Sequence, residues 1–319
     1  MGQSIINNRY EVLRKLGQGS LGAVYLVKDY LQGEQEIALR SIHKTLINYD
    51  LLNHFRREFD TLARLKHPHL ARVFDFGFNR VDESYLITME YVGRQSLRDE
   101  QTEPERDDVL DMVVTICRTL QFIHSRNILH GNVKPANIMV GKGHLTLTDC
   151  GLARLAGTDE LQKRLLSTWI GPEMVRGHQD ERTDLFATGL TFYQLLTGVN
   201  FYQDVPAASI IDLVQNQPEF TAYLDRMLEK IPGQALQSLI AKMLAYQPDD
   251  RFHSALEVIQ TINHLLHKNY DLETAQTREA YVLGINFVTR EKEFTSLVQA
   301  LDAGPTLVVK GISGSGKSR

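Results

Sequence analysis

Three runs rich in β-formers, Val12–Leu16, Ala23–Val27 and Glu36–Ile42, surround the glycine loop Gly17-x-Gly19-x-x-Gly22. That placement constrains the fold more than any other feature. Where such a loop opens a helix, the helix N-terminus faces a pyrophosphate in a dinucleotide-binding fold. Here the loop joins two strand-like runs instead, so it is expected at the tip of a β-hairpin. Glycines at a tip let backbone N–H groups approach phosphates closely, and a plain hairpin turn accommodates them equally well.

The next stretch changes period. Leu52, Phe55, Phe59, Leu62 and Leu65 recur at three and four residues, which predicts a helix over 51–65. His67-Pro68-His69 ends it, and Val73–Gly77 and Tyr85–Val92 read as strands. Beyond Gly93 the pattern is helical: 109–124, a helix through Leu185, Leu190, Phe192, Leu195 and Leu196 capped by Gly198, then 210–215, 220–229, 235–245 and 254–267. A small β-rich lobe followed by a larger helical lobe is an α+β, bilobal architecture with a cleft between the lobes. No repeat of fixed period and no low-complexity tract interrupts it.

Composition excludes several classes. With 43% apolar and 23% charged residues in 319, the chain is neither disordered nor fibrous. A formal net charge of −4 leaves no excess of basic residues for a nucleic-acid face. Two cysteines, Cys117 and Cys150, make neither a zinc cluster nor a disulfide framework, and they suit a reducing compartment. No apolar run approaches the roughly 18 residues that cross a bilayer, and the start lacks the basic and apolar regions of a signal peptide. A soluble cytoplasmic protein without membrane contact is expected; the oligomeric state stays open.

Downstream of the glycine loop, motifs follow in a definite order. Ile37-Ala38-Leu39-Arg40 comes first, then Glu58 in the helix. His130-Gly131-Asn132-Val133-Lys134-Pro135-Ala136-Asn137 and Asp149-Cys150-Gly151 follow, then Gly171-Pro172-Glu173, Asp184 and Arg251. The series resembles the eukaryotic-like Ser/Thr protein kinase family over about residues 9–267. The resemblance implies a bilobal kinase fold with ATP and Mg²⁺ in the cleft. Val24 and Ala38 from above and Met139 from below would sandwich the adenine, with Met89 as gatekeeper and the backbone at Glu90 and Val92 bonding the base edge. Ordinary strand packing explains those side chains as well. Asn137 and Asp149 match the two Mg²⁺ ligands, hard oxygen donors as the ion requires, although Asn by itself is common in turns. Lys134 matches the Lys that neutralises the transferring phosphate. Glu173 with Arg251 would form an internal ion pair, and Asp184 would hold the catalytic-loop backbone.

Five positions depart from the family. Arg40 replaces the strand Lys; the charge survives and is expected to pair with Glu58, but a planar five-donor fork is not equivalent to an ammonium at a tight phosphate site. Asn132 stands where the family has the Asp that accepts the substrate hydroxyl's proton. An amide oxygen accepts a hydrogen bond but is a negligible base and brings no charge, and general-base help is worth roughly 10²–10⁴-fold. Gly131 replaces an Arg that would bind an activation-loop phosphate. Leu166 occupies the Thr position seven before Glu173, with Ser167 one residue out of register; Cys150 in place of Phe is milder.

A second glycine loop closes the chain. The strand-like Thr306–Lys310 leads into Gly311-Ile312-Ser313-Gly314-Ser315-Gly316-Lys317-Ser318, a full phosphate loop in its required context. Upstream, Phe287-Val288-Thr289-Arg290-Glu291-Lys292-Glu293-Phe294 resembles the entry of AAA-like signalling ATPases, with Thr289 in place of Gly. Residues 268–284 read as a polar linker and 285–319 as the beginning of a P-loop NTPase domain cut short, which about thirty residues cannot fold alone. The expected function is a kinase-like regulatory module, a pseudokinase that binds ATP, transfers little or no phosphate and works through protein partners in signalling. Two alternatives stand beside it: a weakly active Ser/Thr kinase, and a partner-binding scaffold for the ATPase.

Overall fold

The computed structural model describes residues 5–19, 22–47, 49–93, 95–97, 106–141, 144–152 and 169–283. Two compact units divide the chain, 1–272 and 273–319. The first begins with a six-stranded antiparallel sheet in the order β1-β2-β3-β4-β6-β5. Its strands are β1 (Ile5–Ile6), β2 (Tyr10–Gly19), β3 (Gly22–Asp29), β4 (Gln35–His43), β5 (Val73–Asn79) and β6 (Ser84–Glu90). β4 lies between β3 and β6 and is covered on both faces, so Ile37, Ala38, Leu39 and Arg40 are all buried in succession. Strand alternation sends Ile37 and Leu39 into a core with Tyr10, Val27 and Leu86. Helix α1 (Tyr49–Arg64) lies where the three-and-four spacing predicts it, and Phe55 and Phe59 pack against Phe76 of β5 with ring centroids 5.4 and 5.8 Å away.

The larger lobe is built around α2 (Arg106–His124) and α4 (Glu181–Thr197), with the short α3 (Pro172–Val175) between them. Residues Thr183 to Tyr193 of α4 are buried without interruption. Its buried Thr188 and Thr191 return their hydroxyls to the carbonyls four residues back, so the helix can sit inside the lobe without unpaired hydroxyls there. Gly198 caps it in the left-handed conformation the sequence predicts, at φ 73°. α5 (Ile210–Gln215), α6 (Gln217–Leu228), α7 (Gln234–Met243) and α8 (Ala255–Leu266) complete the lobe. A small sheet, β7 (Gln95–Ser96), β8 (Ile138–Gly141) and β9 (His144–Leu147), carries the loops discussed below.

The stretch expected to be an unpatterned linker has structure. Tyr270 donates to Asp111 on α2 at 2.6 Å, Lys268 pairs with Asp107 at 2.8 Å, and Asn263 exchanges two hydrogen bonds with the Tyr270 backbone. In the second unit, Ala275–Leu283 forms helix α9, started by reciprocal bonds between Thr274 and Thr277. The cap was legible as a Thr followed three residues later by another hydroxyl, but the apolar spacing behind it is too weak to flag a helix.

One buried group makes stability depend on pH. His67, between α1 and β5, lies against Phe122 with ring centroids 4.8 Å apart, and its Nε2 is buried without a hydrogen-bond partner among the described residues. Burial, with the charges of His69 and Arg126 nearby, holds its pKa down to about 3. Between that value and the ordinary 6.5 the unfolded chain binds the extra proton, so stability falls with pH at up to about 1.4 kcal/mol per unit. Urea midpoints measured from pH 7 down to pH 5 are expected to drop, and His67→Phe to flatten the slope. A wild-type midpoint unchanged over that range would contradict the assignment.

Candidate active site

The register of β4 assembles one wall of the site. Ala38 faces Leu26 of β3 and Met89 of β6, while Arg40 faces Val24 and Ile87. Ala38 and Arg40 share the face opposite the Ile37–Leu39 core, and their cross-strand partners Val24 and Met89 share it too. The four residues expected at the adenine and phosphates are therefore neighbours. Glu90 ends β6 with its N–H donated to Arg72 O at 2.8 Å, and the half-buried Val92 follows. Met139, half-buried on β8, pairs with Ser96 and Thr146.

The glycine loop is a hairpin, as its flanking strands predict: Gly17 pairs with Val24, and Gly19 with Gly22. Gly22 is the glycine the backbone demands. Its φ is +112°, and a Cβ there would lie 2.0 Å from Ser41 O on β4. Gly17 has no such crowding, since an added Cβ meets nothing within 4 Å. Gly22→Ala is expected to cost about 1–3 kcal/mol by forcing β3 from β4, read as a lower urea midpoint. Gly17→Ala, with open space around it, is expected to change that midpoint little; equal effects of the two would refute the geometry.

Asp184 organises the loop that carries the other candidates. Its Oδ2 accepts from His124 Nε2 at 2.9 Å and from the His130 N–H at 2.8 Å, while Oδ1 accepts from the Gly131 N–H at 2.7 Å. Burial alone would raise its pKa; the His124 hydrogen bond, the charges of both histidines and the backbone donors outweigh burial and hold the carboxyl below its ordinary value. Burial likewise pushes the His130 imidazole below its ordinary range. His124 is a partner that motif reading misses, because nothing in the spacing links the end of α2 to Asp184. The loop continues through Asn132, whose carbonyl accepts from Asn137 Nδ2 at 2.9 Å, and Lys134, which precedes the single turn Pro135–Asn137. Gly151 N–H returns to His130 O at 3.0 Å and brings the Asp149 segment alongside.

Two ion pairs join candidate residues. Glu173 and Arg251 form the expected fork, at 2.8 and 2.7 Å. Arg40 donates its Nη2 to Asp149 Oδ2, and both side chains are nearly buried. Asp149 is thus its partner among the described residues; the expected pairing with Glu58 of α1 involves a side chain that lies outside them. Asp149 itself takes a left-handed φ of 64°, uncommon for a residue with a side chain.

This arrangement tests the implied cofactors. Mg²⁺ asks for free hard oxygens in octahedral geometry. Here Asp149 carries a guanidinium, whereas Asn137 donates its Nδ2 to the Asn132 backbone carbonyl, a bond that does not use Oδ1, the atom a cation would need. Among the described residues no group of three or more His, Cys, Asp or Glu converges as a metal site. Asp149 as placed does not fit Mg²⁺, because its charge is already taken by Arg40. A polyphosphate would bring the acceptor that Arg40 Nε lacks, buried as it is without a hydrogen-bond partner among the described residues. Leu166, Ser167 and the phosphate-loop residues Gly311, Gly316, Lys317 and Ser318 lie outside the described residues. Among those described, no helix is long and apolar enough to cross a membrane.

The protein kinase domain model matches residues 10–270. A probable serine/threonine-protein kinase of Streptomyces coelicolor is 31% identical over 270 residues, covering 79% of this chain and 39% of that protein. The serine/threonine-protein kinase PknB of Mycolicibacterium smegmatis is also 31% identical over 270 residues, covering 79% of this chain and 42% of its own. The chain thus spans about two fifths of the length of these relatives. Among solved structures, the kinase domain of Mycobacterium tuberculosis PknI superposes with a TM-score of 0.64 at 25% identity, covering 83% of this chain and 99% of that one. With the hairpin, the Asp184-anchored loop and the Glu173–Arg251 fork in place, this chain belongs to the protein kinase domain family, with serine/threonine-protein kinases as its relatives.

Proposed function

We propose that this domain is a pseudokinase, a cytoplasmic regulatory module that binds an adenine nucleotide and signals through protein partners, with phosphoryl transfer nearly lost. The observation that carries this reading is Asn132. The backbone around it is held by Asp184, so the position is supported as in a working site while the side chain offers an amide in place of a carboxylate. Val24, Ala38 and Met89 on one sheet face support an adenine site. A weakly active Ser/Thr kinase is the second reading, favoured by Lys134, Asn137 and Asp149 standing on adjoining segments.

Transfer from radiolabelled ATP to a generic protein substrate separates the two. The pseudokinase reading expects a signal at background, with ATP still raising the thermal midpoint. Robust transfer that disappears in Asp149→Ala would overturn it in favour of the kinase.

The phosphate-loop sequence Gly311–Ser318 supports a separate proposal, that residues from about 285 onward open a P-loop ATPase domain. Loss of ATP hydrolysis by the full-length protein on Lys317→Ala is the expected result.

A further inference from the structure

Arg40 differs from a lysine in more than size. A guanidinium carries five N–H donors in a fixed plane, stays charged at all accessible pH values, and matches both carboxylate and phosphate geometry. On β4 it is held by pairing with β3 and β6 on either side, so the strand cannot shift to move it. One arm, Nη2, rests on Asp149. The Nε, on the edge of the plane that it shares with Nη2, is buried without a hydrogen-bond partner among the described residues, in a residue only 9% exposed. A buried donor without an acceptor is costly, and an acceptor oxygen on that edge, beside the one Asp149 supplies, removes the cost. The negative charge of Asp149 is meanwhile already neutralised, which takes away the main reason for a divalent cation to settle there. A cation brought up to Asp149 would instead meet a guanidinium at contact distance.

We propose that Arg40 is the resident cation of the cleft: it takes the place of Mg²⁺ at Asp149 and offers its remaining donors to the phosphates of an adenine nucleotide, so that binding needs no divalent metal. This rests on the nucleotide-binding reading above. It also accounts for Arg40 and Asn132 occurring together. Without a base there is no transfer to support, and a site that only senses nucleotide does not need the metal that neutralises charge developing on a transferring phosphoryl group.

The test uses the whole chain carrying Lys317→Ala, so that the second phosphate loop does not contribute. A fluorescent ATP analogue is titrated in EDTA and again in saturating MgCl₂. The wild-type Arg40 cleft is expected to bind with dissociation constants within about threefold of each other, whereas Arg40→Lys, which keeps the charge and the fold, is expected to bind at least about tenfold tighter with Mg²⁺. Titration with Mn²⁺ alone, read by electron paramagnetic resonance, is expected to show no ion lost on Asp149→Asn. Binding by wild type only when Mg²⁺ is present, or a Mn²⁺ site abolished by Asp149→Asn, would overturn the inference and leave nucleotide binding standing. Absence of binding under every condition would overturn the nucleotide reading and the inference with it.

Discussion

Asn132→Asp combined with Arg40→Lys is expected to raise phosphoryl transfer to a generic protein substrate by roughly 10²–10⁴-fold over the wild-type chain. The first change restores a group that accepts the hydroxyl proton and orients the hydroxyl; the amide does only the second, and weakly. The second frees Asp149 from the guanidinium that now occupies it. The scaffold asks for no further repair. Asp184 fixes the backbone at 130 and 131 through its own carboxylate, Asn137 fixes residue 132 by bonding its carbonyl, and neither interaction involves the side chain being exchanged. A phosphotransfer assay with a nonspecific acceptor checks the outcome. If the double variant stays at background, the loss lies elsewhere and the weak-kinase reading falls. If the single change Asn132→Asp does nothing but the pair restores transfer, Asp149 release is the limiting repair.

Glu173→Ala is expected to destabilise the larger lobe by about 3–5 kcal/mol, the usual result of removing one partner of a buried ion pair. Arg251 is wholly buried, and its two terminal nitrogens meet the two Glu173 oxygens in a fork. Without the carboxylate its remaining contacts are the Ala245 carbonyl at 2.7 Å, longer bonds to the Arg182 and Tyr246 carbonyls, and the Phe186 ring 4.4 Å away. None of these carries a full negative charge, and a guanidinium cannot shed its proton to escape. Urea unfolding at neutral pH reads the effect, and a loss under about 1 kcal/mol would show that the carbonyls suffice. The pair ties α3 itself to the turn before α8, so the variant should also lower protection of α3 against hydrogen exchange.

Much of the fold was legible because it is written in local periodicity. Helices α1, α2 and α5 to α8 fall within a few residues of their apolar spacing, and the alternation around Gly17–Gly22 announces the hairpin. The ends are less well marked: the 73–77 strand runs on to Asn79, and the helix expected from 220 begins at Gln217, after an Asn216 cap. Helix α9 went unread because its capping hydroxyls precede a stretch with little amphipathic pattern.

The candidate site divides in the same way. Which residues are present at motif positions is a one-dimensional fact, and Asn132, Gly131 and Arg40 announce an altered chemistry before any coordinates exist. The family resemblance implied that Glu173 would meet Arg251 and that Asp184 would meet the loop, and both contacts are present. The partner of Arg40 is a three-dimensional fact. Arg40 and Asp149 are 109 residues apart, and their meeting depends on how the sheet face approaches the loop after β9. His124 joining Asp184, and Gly22 lying against Ser41 rather than merely turning a corner, are facts of the same kind. Sequence by itself determined the family, the lobes and the amide at position 132, because propensity, spacing and side-chain chemistry act locally. Only the tertiary structure decided where the charge of Arg40 goes, because a long side chain with several acceptors in reach is placed by packing and desolvation, which no spacing encodes.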